Sequence, residues 1–151
     1  SDLTSDVNEI HNGPSNGVRS IMEDAAGDFW FNTAFRYRMI DIDRSMQHKF
    51  DTATFYKRLE SIGSLDGKSN GELTEYLSIT KDNQNSLWIA TYTDGVWKYD
   101  GQKVIHYSVQ AKGKDVTLFY IYKDLQGDIW LGTHENGVFR FNGTVFKKFS
   151  F

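Results

Sequence analysis

Nearly the whole chain is three copies of one sequence unit, and that repeat limits the folds open to it more than any other feature. Ser78–Thr91, SITKDNQNSLWIAT, aligns with Tyr120–Thr133, YIYKDLQGDIWLGT, so Asp82 and Asp124 hold equivalent places one period apart. The alignment runs on without a gap from Asp94–Gly101, DGVWKYDG, into Asn136–Gly143, NGVFRFNG. Ser20–Thr33, SIMEDAAGDFWFNT, is the same element a third time. Asp24 lies farther before Asp82 than Asp82 lies before Asp124, so the first module carries a net insertion. A unit repeated at fixed period buries its apolar face only against its neighbour, which makes the period itself a statement about architecture.

Each unit shows four short strand signals, A to D, rich in β-branched and aromatic residues. In the last module these are LFYIY from Leu118, DIWLGT from Asp128, GVFRF from Gly137 and VFKKF from Val145. Between A and B an Asp is followed, two positions intervening, by Gly or Asn: Asp24 with Gly27, Asp82 with Asn85, Asp124 with Gly127. Asp bonds turn N–H groups and Gly or Asn tolerates positive φ, so this is turn chemistry. Between C and D stand Asp100-Gly101 and Asn142-Gly143, dipeptides favoured in a type I′ hairpin. Four strands in a period of roughly 40–45 residues is the size of a β-propeller blade. The fold class expected is therefore all-β, with β-propeller-type repeats forming three four-stranded antiparallel blades, either open or completed by oligomerisation. A sandwich, which needs no fixed period, is the alternative. Trp30, Trp88 and Trp130 recur in strand B and are expected to fill the gaps between blades.

The boundaries follow from the repeat. Residues 1–17, with few apolar positions and the run Gly13-Pro14-Ser15-Asn16-Gly17, read as a linker or tail. The repeats then occupy about 18–69, 70–111 and 112–151, and an insertion at 43–61 in the first is compatible with a short helix or a long loop, with covering an exposed blade edge as its expected role. Hydrophobic residues at 39% and aromatics at 15% supply enough apolar area to exclude a disordered chain. With 17 basic and 20 acidic residues and no block of like charge, a phosphate-backbone footprint is absent and nucleic acid is not an expected partner. No apolar run is long enough to span a bilayer. Cysteine is absent, which removes disulfides, thiolate zinc sites and a cysteine nucleophile.

The third module fits the pattern of the two-component regulator propeller repeat through Ile121, Asp124, Gly127, Trp130, Gly132 and Thr133, then Gly137, Arg140, Phe141, Asn142, Gly143, Phe146 and Phe149. The second module matches through Ile79, Asp82, Trp88 and Thr91, then Gly95, Lys98, Tyr99, Asp100, Gly101 and Tyr107, with Asn85 and Ala90 in place of glycines. The first departs after Thr33, running Phe35-Arg36-Tyr37-Arg38-Met39 into the insertion without the hairpin dipeptide. The chain thus resembles that family. The resemblance implies ligand sensing or binding, often of carbohydrate, without catalysis, in the periplasmic part of bacterial sensor kinases or in exported proteins and lipoproteins. Three blades are fewer than the four or more of known propellers, so other blades or a second copy of the chain, a homo-dimer, are expected partners.

In a meander the A–B and C–D turns share one end of the sheet and the B–C and D–A loops the other. The modules reuse the same turn chemistry at the first end and diverge at the second, where recognition is expected. The candidate ligand-binding residues are Phe35, Arg36, Tyr92, Thr93, Asp94, His134, Glu135 and Asn136. Tyr92, Asp94, His134 and Glu135 offer a sugar or other small molecule a stacking ring and hydrogen-bond partners. No ligand spacing such as HExxH accompanies His134, so no metal or cofactor is implied. A carboxylate pair for glycoside hydrolysis has only Asp94 and Glu135 as candidates, because Asp24, Asp82 and Asp124 recur in register as turn caps.

Overall fold

The computed structural model describes residues 18–31, 36–40, 55–59 and 76–151. Within them, twelve strands make three four-stranded antiparallel sheets, each in simple chain order. The first is β1 (Ile21–Glu23), β2 (Phe29–Phe31), β3 (Arg36–Ile40) and β4 (Phe55–Arg58). The second is β5 (Ser78–Lys81), β6 (Leu87–Ala90), β7 (Val96–Tyr99) and β8 (Val104–Tyr107). After a small hairpin, β9 (Gln110–Ala111) and β10 (Lys114–Asp115), the third is β11 (Leu118–Lys123), β12 (Ile129–Thr133), β13 (Val138–Phe141) and β14 (Phe146–Lys148). The sheets are the three expected blades. The N-terminal stretch 1–17 lies outside the described residues.

One local device recurs in all three and sets their register. Asp82 Oδ1 accepts from the Gln84 and Ser86 N–H groups, both at 2.9 Å, and its Oδ2 accepts from the Trp88 indole N–H at 2.8 Å. Asp24 makes the same contacts to Ala26, Asp28 and Trp30, and Asp124 to Gln126, Asp128 and Trp130. The carboxylate closes the turn and also orients the ring, so Met22↔Trp30, Thr80↔Trp88 and Tyr122↔Trp130 are equivalent cross-strand pairs. The Trp130 hydrogen bond, aided by the turn N–H groups, holds the Asp124 carboxyl below its ordinary value.

Two expectations are corrected. The C–D turns are not type I′, which needs positive φ at both central residues. Gly101 and Gly143 have φ of 101° and 100°, but Asp100 and Asn142 are not in the left-handed region. Their side chains act as caps instead: Asp100 Oδ1 accepts from Gln102 and Lys103 N–H, and Asn142 Oδ1 from Thr144 and Val145 N–H, all at 2.9 Å. The second correction concerns the insertion at 43–61, read as helix or long loop. Phe55–Arg58 is a strand, and it pairs with the open edge of β3 from Tyr37↔Arg58 to Ile40↔Phe55. An unpaired edge demands a partner, and this segment supplies it; the rest of the insertion lies outside the described residues, apart from Leu59.

Each strand B sends alternate residues to opposite faces, and the blades stack so that the Trp of one meets an aromatic of the next. Trp30 lies 5.5 Å from Tyr99 and Trp88 lies 4.9 Å from Phe141, ring centre to ring centre. The first joint adds Ile79, Leu87, Ile89 and Trp97, and the second Val96, Leu118, Ile121, Leu131 and Phe139, all buried. Near the inner edge Ser78 Oγ accepts from the Ile121 N–H at 3.0 Å, tying the second blade to the third. Trp130 has no blade against it among the described residues. It is partly exposed, packed on Phe149 at 5.1 Å with the Arg140 guanidinium 5.3 Å from its ring.

Candidate functional site

The B–C turns share a backbone frame that sequence comparison of their side chains did not reveal. Thr91 Oγ donates to the Gly95 carbonyl at 2.7 Å and accepts from the Asp94 N–H at 2.9 Å; Thr133 does the same with Gly137 and Asn136. Gly95 and Gly137 close the turns at φ of 69° and 71°. The frame is therefore repeated, and what varies is the pair of side chains mounted on it: Tyr92-Thr93 in the second blade and His134-Glu135 in the third.

A third component comes from strand A of the last blade. The pairing of β11 with β12 slips between Leu118 and Tyr120, and the bulge turns Phe119 out onto the same end of the molecule. Phe119 stacks on Tyr92 at 6.3 Å and meets the His134 ring edge-on at 5.1 Å. The backbone holds this row in place, since Leu118 N–H donates to the Tyr92 carbonyl at 2.8 Å and His134 N–H to the Thr117 carbonyl at 3.0 Å. Three rings thus cross the seam between the second and third blades, with Tyr92 53% and Phe119 46% exposed. The half-exposed rings, set beside backbone hydrogen bonds, form a surface row rather than part of a collapsed core.

Beside the row lies a cleft of 330 Å³, at the small end of ligand-pocket volumes. The β9–β10 hairpin forms one wall with Lys112, Lys114 and Asp115, and His134, Glu135 and Asn136 form the other. Lys112 and Gly113 turn the hairpin with φ of 53° and 76°, the type I′ combination. Gln110 Nε2 donates to Asp115 Oδ1 at 3.1 Å across its base.

Of the residues expected at this end, the structure brings together Tyr92, His134, Glu135 and Asn136. Asp94 is directed elsewhere: its carbonyl lies 2.6 Å and its carboxylate 3.6 Å from His106 Nε2 on the outer strand of its own blade. Thr93 is exposed and takes no part in the cleft. Arg36 lies in β3 opposite Trp30, the position of Lys98 and Arg140 in the other blades, and donates to the Tyr99 hydroxyl at 3.1 Å. The stretch from Trp30 to Arg36 is shorter than those from Trp88 to Lys98 and from Trp130 to Arg140, so this arginine belongs to a blade joint rather than to a loop. Phe35 lies outside the described residues. Phe119 and the hairpin were missed; Lys112-Gly113 was the available signal for the hairpin, whereas nothing local marks the bulge. Glu135 Oε1 sits 3.5 Å from His134 Nδ1, and no group of three or more potential metal ligands exists among the described residues.

Residues 12–35 match the family model described as two component regulator propeller, over the stretch holding the first Asp–Trp clamp. No curated protein matches the chain. Among solved structures it is similar to the extracellular domain of BT4673 from B. thetaiotaomicron, described as a hybrid two component system. There the identity is 21% and the TM-score 0.60, covering 93% of this chain and 20% of that one. It is also similar to a catalytically inactive virginiamycin B lyase from Staphylococcus aureus, solved with quinupristin, at 16% identity and TM-score 0.59, covering 92% of this chain and 43% of that one. The chain therefore spans less than half the length of these proteins, and at such identities the likeness establishes the fold, a run of β-propeller blades.

Proposed function

We propose that this chain is a ligand-binding, sensing module of an exported bacterial protein, working in the periplasm or outside the cell, and that it takes a small carbohydrate. The observation that carries this is the Tyr92–Phe119–His134 row set beside a polar cleft on one end of the blades. A pyranose offers one face of C–H bonds and a rim of hydroxyls. The exposed rings suit the face, and Lys112, Lys114, Asp115, Glu135 and Asn136 suit the rim. The two component regulator propeller match and the similarity to an extracellular domain support a sensing role. The module is read as binding without chemistry: Asp94, the other acid considered for hydrolysis, does not line the cleft, and Asp115, which does, is held by the Gln110 side chain.

The test is a glycan-array screen followed by calorimetry on wild type and the Phe119→Ala and Tyr92→Ala variants. Loss of one stacked ring should weaken binding roughly tenfold to a hundredfold, the equivalent of about 1–3 kcal/mol, with the fold retained by circular dichroism because both rings are about half exposed. No retained glycan, or full binding by both variants, would overturn the reading. Assembly is the second reading, favoured by the partly exposed Trp130, and it leads to a separate proposal.

A further inference from the structure

The outer faces of the first and last blades are the two halves of one joint, and we propose that they join head to tail between two copies of this chain. Within the chain the same joint is made twice, and each instance shows what covers each half. The rear half of the second blade presents Ser78, Trp88, Ala90 and Val96, all 5% exposed or less beneath the third blade. The corresponding residues of the third blade are Tyr120, Trp130, Gly132 and Val138. Tyr120 is 60% exposed, its face-mate Tyr122 is 52% exposed, and Trp130 and Val138 are partly exposed.

The front half behaves likewise. In the second blade Ile79, Leu87 and Ile89 are buried at 9%, 1% and 0% against the first blade. Their counterparts in the first blade are Ile21, which is 63% exposed, and Phe29 and Phe31, which are partly exposed. Among the described residues no front stands against the last blade and no rear against the first, and in the proposed joint a second copy supplies both.

The residues that change between internal and outer joints point to a contact between molecules. Where the internal rear faces carry Ser78 and Thr80, the outer one carries Tyr120 and Tyr122; where internal fronts carry Leu87 and Ile89, the outer one carries Phe29 and Phe31. Small and aliphatic residues are replaced on both sides by aromatics, the class enriched at protein interfaces. At both internal joints the front lysine reaches the A–B turn of the preceding blade, Lys81 to the Glu23 carbonyl and Lys123 to Asn83 Oδ1, and Glu23 takes that place on the outer front. Two identical joints related by a two-fold axis close a six-blade ring, within the usual range for propellers.

The chain has no cysteine, which makes cross-linking unambiguous. Ser78 Oγ touches the Ile121 backbone across the internal joint, and the equivalent pair across the proposed joint is Tyr120 with Ile21. A variant carrying Ile21→Cys and Tyr120→Cys should form disulfide-linked dimers on mild oxidation, whereas each single variant should not. Light scattering after size exclusion should give twice the 17.4 kDa chain mass for wild type, and 17.4 kDa for Tyr120→Glu with Tyr122→Glu at unchanged circular dichroism. A wild-type monomer at every accessible concentration overturns the proposal. So does a mass that grows beyond the dimer, or Tyr120→Cys alone cross-linking as readily as the double variant. Glycan binding at the Tyr92–Phe119 end does not enter these readouts, so the two proposals stand or fall separately.

Discussion

Replacing Asp82 by Ala tests whether the Asp–Trp clamp holds each blade together. Asp82 is 8% exposed and accepts three hydrogen bonds, from Gln84 N–H, Ser86 N–H and the Trp88 indole. Gln84 N–H is at an exposed turn and finds water in the variant. Ser86 is 6% and Trp88 3% exposed, and their N–H groups are left without an acceptor. A buried donor stripped of its partner costs about 1–3 kcal/mol, so the two together should cost about 3 kcal/mol, allowing for partial relaxation. For a domain of this size that lowers the melting temperature by roughly 10 °C. Asp124→Ala removes the same bonds where Trp130 is partly exposed and water replaces them, so its loss should be clearly smaller. Urea unfolding of both variants, alone and in a Trp88→Phe background, gives the needed comparison. Because phenylalanine has no indole N–H, Asp82→Ala should cost about 1–2 kcal/mol less there than in wild type. An equal cost in both backgrounds, or equal costs for Asp82→Ala and Asp124→Ala, would refute the reasoning.

Other outcomes follow from the same turns. Asp124, through the Trp130 indole, and Asp100, through the Lys103 and Gln102 N–H groups, have carboxyl pKa values lowered from 3.8. Their contribution to stability is therefore complete above about that value and is lost as the pH falls through the lower folded value; Asp124→Asn and Asp100→Asn should each flatten this acid limb, read by thermal melts carried from neutral pH into the acid range. At Gly95, φ is 69° and an added Cβ would collide with the Tyr107 carbonyl, whereas at Gly137, φ is 71° and the nearest atom is the Lys148 Cε at 3.8 Å. Gly137→Ala should cost only the left-handed strain, about 1 kcal/mol, and Gly95→Ala distinctly more; equal midpoints in urea would contradict this.

The blade architecture was legible because it is written in short-range chemistry. The Asp82, Asp24 and Asp124 turns were read correctly from an Asp followed by Gly or Asn, since their bonds stay within a single turn. The indole bond farther along escaped notice because it forms only after the hairpin brings strand B alongside. The last strand of the first blade could not be placed from sequence for a related reason: β4 lies in the insertion, away from the repeat pattern, and pairs with the open edge of β3.

The candidate site divides along the same line. Tyr92, His134 and Glu135 were found because the B–C loops differ between modules, yet Phe119 came from a bulge that exists only as a mismatch between β11 and β12. Arg36 and Asp94, equally polar and equally divergent, were placed by the tertiary structure at a blade joint and against His106. The repeat, the strand count, the turn residues and the alternation of faces are properties of a single unit, and sequence alone determined them. Whether a given face is covered depends on the sheet beyond it. Trp30, Trp88 and Trp130 therefore hold the same repeat position and the same clamp, while burial of the first two and partial exposure of the third were decided by which blades stand beside them.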